Sequence, residues 1–140
     1  MNAIRGKKVF ITGGAGFIAS HLIPRLIDDN EVTVYDNGHR NAIQYTNLEK
    51  HKNLNFIQGD VLDAELLEKS IKGSDFVVHM AAIAGVSSYY KMPLKTMKVN
   101  FFGTYNVREA IQKHGVELYI DFSTSEIYGA HAKQVTELDN

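Results

Sequence analysis

The sequence predicts an α/β fold built as a doubly wound parallel sheet, on three observations. Five short segments rich in Val, Ile, Phe and Tyr recur along its 140 residues. Between them lie stretches with helical periodicity or polar punctuation. The segments are apolar runs more than strict alternations, which is the pattern of strands covered on both faces. Strand alternating with helix requires right-handed crossovers and, in the doubly wound class, a strand order of 3-2-1-4-5.

The first strand is expected at Lys8 to Thr12 and the first helix from about Gly16 to Asp28, with Phe17, Leu22, Ile23, Leu26 and Ile27 near one face. Pro24 interrupts that helix. An interior proline removes a backbone hydrogen bond and costs roughly 3 kcal/mol unless the helix kinks, so a bend or early end is predicted. The second strand spans Glu31 to Tyr35, and residues 37 to 53 are polar and weakly periodic, with one helical turn near Leu48. After the third strand, Leu54 to Gln58, Asp63 opens a helix that runs through Lys72 and stops at Gly73. A short carboxylate there satisfies free N–H groups and suits the positive end of the helix dipole. The fourth strand is Asp75 to Met80, the longest helix Leu94 to His114 between Pro93 and Gly115, and the fifth strand Val116 to Phe122.

Composition narrows the partners. The 15 basic and 16 acidic residues are spread evenly, without a stripe to attract a phosphate backbone or anionic lipid, so nucleic acid and membrane are not expected partners. No run of eighteen apolar residues occurs, and residues 1 to 8 lack the apolar core of a signal peptide. The absence of cysteine excludes disulfides and thiolate metal sites and suits a reducing compartment, with a cytoplasmic setting as the default. The six histidines are scattered, without the spacing of a metal site, and read as surface or packing residues.

Ligands of such sheets bind outside the carboxyl ends of the strands. The first strand leaves through Thr12-Gly13-Gly14-Ala15-Gly16-Phe17-Ile18-Ala19. Glycine permits the tight turn and lets backbone N–H groups approach a pyrophosphate at the helix N-terminus. Alone this pattern is weak, but it follows a strand, opens a helix, and precedes Asp36, twenty residues after Gly16 at the end of the second strand. A carboxylate there accepts both ribose hydroxyls of NAD and repels the 2′-phosphate of NADP. Arg40, just beyond it, leaves NADP open as the alternative. Ala19 stands where the third glycine is usual, a substitution the fingerprint tolerates. The third strand exits through Gly59-Asp60-Val61, with a carboxylate for the adenine amine and an apolar side chain for its ring. The fourth exits through His79-Met80-Ala81-Ala82-Ile83-Ala84, whose small residues leave room for a cofactor against the backbone.

Six segments, ITGGAGFIASHL, VYDN, GDV, HMAA, NFFGTYNV and FSTSEIYG, stand in one order over nearly the whole chain. In that order they resemble the extended short-chain dehydrogenase/reductase family, in particular its NAD-dependent nucleotide-sugar epimerases, dehydratases and decarboxylases. The resemblance implies a Rossmann-type NAD-binding domain over residues 1 to 140. Gly13, Gly16, Phe17 and Ile18 would hold the pyrophosphate. Asp36, Asn37, Arg40 and Asn41 would surround the adenosine ribose, and Asp60 and Val61 would meet adenine. Ala81, Ala82 and Ile83 would meet the middle of the cofactor, Asn100 would shape the wall beside the fourth strand, and Ser123 would border the cofactor at the fifth. His79 is expected to be structural.

The chemistry the family implies is transient oxidation at C4 of a nucleotide-linked sugar, which acidifies the C5 proton. Thr124 matches the family's catalytic Ser/Thr, and Glu126 matches the C5 base of the dehydratases. Ser125 stands where some dehydratases place an aspartate to protonate the departing C6 hydroxyl, so that acid is left unassigned. Thr-Ser-Glu favours a 4,6-dehydratase or decarboxylase, with a 4-epimerase as the alternative.

The family's Tyr-x-x-x-Lys pair has no counterpart here: Tyr128 is followed four residues later by Ala132, and Tyr89 by Pro93. The chain is therefore expected to be the N-terminal part of a longer enzyme, lacking the nucleotide-sugar-binding region and inactive alone. The intact protein is expected to be a homodimer through the long helix, with Val99, Phe102, Val107 and Ile111 left partly bare here. A non-catalytic dinucleotide-binding regulatory module is the rival reading from another class.

Overall fold

In the computed structural model, residues 4–129, 135, 136 and 138 are described. Five parallel strands form one sheet in the order β3-β2-β1-β4-β5, as predicted: β1 Lys8–Thr12, β2 Glu31–Asp36, β3 Leu54–Gln58, β4 Phe76–His79 and β5 Leu118–Asp121. The last two are shorter than the sequence suggests. The register pairs Thr12 with Tyr35 on one side and His79 on the other, so the exits of β1, β2 and β4 lie side by side.

Each face of the sheet carries its own core. One holds Val9, Ile11, Val32, Val34 and Val78 against Ala19, Ile23 and Ile27 of the first helical segment. The other holds Phe10, Tyr35 and Val77 against Leu67, Ile71, Val107 and Ala110. Alternate residues of the central strands thus face opposite helices, which explains their continuous apolar runs.

Proline ends the first helix early, as predicted: α1 spans only Phe17–Leu22, and Ile23–Arg25 tightens into a 3₁₀ turn with Pro24 inside it. Phe17 is not on its buried face. It is 74 % exposed and packs on His21, with ring centroids 4.7 Å apart. Helix α2, Ala64–Ile71, begins where the carboxylate of Asp63 accepts from Leu66 N at 3.0 Å. Two 3₁₀ turns, Ile43–Tyr45 and Leu48–Lys50, occupy the polar stretch in which one was expected.

The expected long helix is divided. Helices α3 (Val86–Lys91) and α4 (Pro93–Met97) are followed by a π-helical turn, Lys98–Phe102, and then by α5, Gly103–His114. Helix α3 falls where no element was expected. The division also corrects the face predicted to be bare. Val99 and Val107 are buried and Ile111 packs on the core, whereas Leu94, Met97, Phe101 and Tyr105 are more than half exposed, joined by Phe102. A π turn widens the helix and shifts the phase of every residue after it. Leu94, Met97, Phe101 and Tyr105 nonetheless keep the ordinary helical spacing of three or four residues across it, and the buried Val99, Gly103, Val107 and Ala110 stand on the opposite side. It is the dimer face implied by the resemblance that the structure corrects.

Candidate functional site

The exits of the first four strands surround a cleft of about 420 Å³. Gly13 and residues 16 to 19 form one wall, Tyr35, Asp36, Asn37, His39 and Arg40 the next, Gly59, Asp60 and Val61 the third, and residues 80 to 84 the fourth. Ser88, Met92, Lys95 and Val99 complete it from the segment after β4.

The glycine loop is held by its neighbours on both sides. Gly13 N–H donates to Tyr35 O at 2.9 Å, and Gly16 N–H donates back to Gly13 O at 3.0 Å. Gly13 has φ +67°, and a Cβ built on it would lie 2.7 to 2.8 Å from the Met80–Ala81 backbone. Glycine is therefore required there for both conformation and space. Gly16 caps α1 in extended conformation and offers no side chain to the first-turn N–H groups. Those groups have no intrahelical partner and face an anion favourably.

Asp36 is fixed by both carboxylate oxygens. Oδ2 accepts from Ala15 N at 3.1 Å and Oδ1 from Gly38 N at 2.8 Å, which ties the glycine loop to the exit of β2. Each oxygen keeps lone pairs for further donors. Uncapped N–H groups at one wall and a fixed carboxylate at the next are the donor and acceptor set that a pyrophosphate joined to a ribose requires. The residues present fit a dinucleotide.

Tyr35 supports the third wall from below. Its hydroxyl donates to Asp60 O at 3.0 Å, and burial, with Asp63 and Asp60 nearby, pushes its pKa up to about 12. The Asp60 carboxylate accepts from Leu62 N at 3.0 Å. Val61 is buried at the cleft floor against Gly103, where a Cβ would come within 2.6 Å of it.

The fourth wall rests on Asn100, in the π turn. Its Oδ1 accepts from Ile83 N at 2.8 Å and its Nδ2 donates to Ile83 O at 3.1 Å, so one amide clamps both backbone groups of a single cleft residue. Asn37 instead closes a local turn, accepting from His39 N at 3.0 Å. Asn41 lies outside the cleft lining and accepts from Gln44 N at 3.2 Å.

Ser123, Thr124, Ser125 and Glu126 are exposed and do not line the cleft. They leave β5 at the same end of the sheet, beside the β4 exit, where Phe122 N donates to His79 O at 3.0 Å. Thr124 caps a 3₁₀ turn, Ser125–Tyr128, its hydroxyl accepting from Glu126 N at 3.3 Å. The cleft residues that the sequence reading missed are Tyr35, His39, Ala42 and the set Ser88, Met92, Lys95 and Val99. The signal for the last group was Gly85, which has φ +102° and opens α3.

Compared with known families, residues 9–140 match the model of the NAD dependent epimerase/dehydratase family. The chain belongs to that family. The expected resemblance is thereby established, and NAD is the family's cofactor. A UDP-N-acetyl-alpha-D-glucosaminuronate decarboxylase of Bacillus cytotoxicus is 36% identical over 135 residues, which are 96% of this chain and 41% of that protein. A dTDP-glucose 4,6-dehydratase of Mycobacterium tuberculosis is 34% identical over 87% of this chain and 38% of its own length. Among solved structures, the UDP-N-acetylglucosamine 4-epimerase of Methanobrevibacter ruminantium M1, in complex with UDP-N-acetylmuramic acid, superposes with a TM-score of 0.89 at 36% identity, covering 98% of this chain and 44% of that one. This epimerase/dehydratase family member thus spans about two fifths of the length of the relatives it matches. The relatives include decarboxylases, dehydratases and epimerases of nucleotide sugars. Among the described residues, no helix is long and apolar enough to cross a membrane.

Proposed function

We propose that this chain is the NAD-binding part of an enzyme that oxidises C4 of a nucleotide-linked sugar transiently and proceeds as a 4,6-dehydratase or decarboxylase. The observation that carries the NAD assignment is the cleft in which uncapped α1 N–H groups and the doubly held Asp36 carboxylate share one rim. NAD, when bound, supplies the hydride acceptor. Gly13, Gly16, Phe17 and Ile18 hold the pyrophosphate, Asp36 the ribose, Asp60 and Val61 the adenine end, and Ala81 to Ile83 the middle of the cofactor. The nucleotide sugar is bound largely by chain beyond these residues, and the intact protein works in the cytoplasm as a homodimer.

The Thr124 hydroxyl hydrogen-bonds the C4 oxygen. In a dehydratase the Glu126 carboxylate takes the C5 proton once C4 is a ketone, and the C6 hydroxyl leaves as water. In a decarboxylase the C5–C6 bond breaks instead, its electrons pass to the C4 ketone, and C6 leaves as carbon dioxide. Glu126 supports elimination or decarboxylation over simple epimerisation. The close likeness to a 4-epimerase structure supports the second reading.

Two measurements test this. Calorimetry of the chain should show NAD bound more tightly than NADP, and Asp36→Asn should weaken NAD by about tenfold while narrowing that preference. Tighter binding of NADP by the unaltered chain would overturn the cofactor assignment. For the reaction, the complete gene product is incubated with dTDP-glucose, UDP-glucuronate and UDP-glucose. Release of carbon dioxide or a 4-keto-6-deoxy sugar is expected, with Glu126→Gln slowing formation of the 4-keto-6-deoxy sugar by about a hundredfold. A C4 epimer as the sole product would decide for the second reading, and no turnover with NAD still bound would favour a regulatory module.

A further inference from the structure

His79 is 3% exposed and lies at the last position of β4, immediately before the cleft wall. Its Nδ1 is 2.6 Å from Thr12 Oγ1 and its Nε2 is 3.0 Å from Thr104 Oγ1. Each hydroxyl has further partners. Thr12 Oγ1 accepts from Met80 N and Ala81 N, both at 3.3 Å, and Thr104 Oγ1 donates to Asn100 O at 2.8 Å.

A count of protons leaves one arrangement. The single Thr104 proton goes to Asn100 O, so Nε2 must carry a hydrogen and donate to Thr104. Thr12 Oγ1 takes the Ala81 N–H and a share of the Met80 N–H, whose shorter bond is to Thr12 O at 3.1 Å. With Nε2 carrying the ring hydrogen, the Thr12 proton goes to the bare Nδ1. The opposite tautomer would aim three N–H groups at Thr12, leave its hydroxyl proton without an acceptor, and compete for the proton that Asn100 O receives. Two routes thus join the fourth cleft wall to Asn100: the direct clamp on Ile83, and the buried route from Met80 and Ala81 through Thr12, His79 and Thr104.

We infer that His79, as the neutral Nε2–H tautomer, is a positioning residue that sets the 80–83 wall for NAD, so that protonating it weakens the cofactor. An imidazolium would point a new N–H at a Thr12 oxygen that already receives Ala81 N–H and part of Met80 N–H, and would take away the acceptor of the Thr12 proton. Either Thr12 or the Met80–Ala81 backbone would then have to move. Burial holds the pKa of His79 below 6.5, against the pull of Asp121, its register partner on β5. From β1 and α5 it is faced by the uncharged Thr12 and Thr104. By linkage, a cofactor that favours the neutral form loses affinity as pH falls through the window below 6.5.

The inference rests on the NAD-binding reading, and the test separates the two. Long-range ¹H–¹⁵N spectra of the chain, without ligand, should show His79 as the Nε2–H tautomer with a midpoint below 6.5. NAD affinity by calorimetry should fall about two- to fivefold between roughly pH 7.5 and pH 5.5. His79→Gln, which keeps an amide donor and acceptor and cannot titrate, should lose that fall. An Nδ1–H tautomer or a higher midpoint overturns the proton arrangement. NAD binding that is independent of pH, or a fall that persists in His79→Gln, overturns the positioning role and leaves the NAD reading intact. An unaltered chain that shows the expected tautomer but binds no NAD near neutral pH overturns the NAD reading and the role in positioning it, while the proton arrangement stands.

Discussion

Gly13→Ala is expected to weaken NAD binding by about a hundredfold or more and to destabilise the chain by about 2 to 4 kcal/mol. Two separable costs combine. A left-handed conformation disfavours any Cβ by about 1 to 2 kcal/mol. At Gly13 that atom would also lie within 2.8 Å of the Met80–Ala81 backbone, which cannot turn aside as a side chain can. Relief requires the exits of β1 and β4 to part, and these are two walls of the same cleft. Gly38 is the control. It has φ +76° and open space around it, so Gly38→Ala should show the conformational cost alone. Denaturant unfolding and calorimetry of both variants measure the difference. A Gly13→Ala chain that binds NAD within threefold of the original would refute the close approach of the two loops.

The fold was legible because its signals are local and periodic. Five apolar runs and one proline were enough for the strand order and the early end of α1. The same holds for the Asp36 wall: a carboxylate at the end of a strand, after a glycine loop, has few structural alternatives. What escaped was non-periodic. The π turn at Lys98–Phe102 has no spacing signature, since the residues on either side of it are ordinary helix formers. The stripe Leu94, Met97, Phe101 and Tyr105 itself has helical spacing and could have been read, but the helix pairing implied by the resemblance pointed to Val99, Val107 and Ile111 instead. The third wall was half legible. Asp60 and Val61 are readable as strand-exit residues, but Tyr35 holds them through a hydrogen bond 25 positions away in sequence, and no pattern in either segment announces it. At the end of β5, Thr124 is engaged in capping its own turn. The sequence could place the Thr-Ser-Glu group at a strand exit but not say which way its side chains are committed.

Asn100→Leu should weaken NAD binding by about tenfold with a much smaller effect on global stability. The reason lies in where its two hydrogen bonds end. Both fall on Ile83, at 2.8 and 3.1 Å, and both are exposed enough that water can replace them. Their loss therefore costs little of the folding free energy. Water cannot hold the Ile83 peptide groups at a fixed distance from the π turn, however, and a wall that lies against a cofactor must be preorganised to bind it well. Asn100→Asp sharpens the test. Aspartate is nearly the same size and still accepts from Ile83 N, but it sets a carboxylate oxygen against the Ile83 carbonyl where the amide had a donor. If the clamp is what matters, Asp should be no better than Leu; if only side-chain volume matters, Asp should bind NAD like Asn. Calorimetry on the two variants, with amide exchange at Ile83 as the local readout, separates these outcomes. Near-normal affinity in both would mean that the 80–83 wall is held by the Thr12–His79–Thr104 route alone.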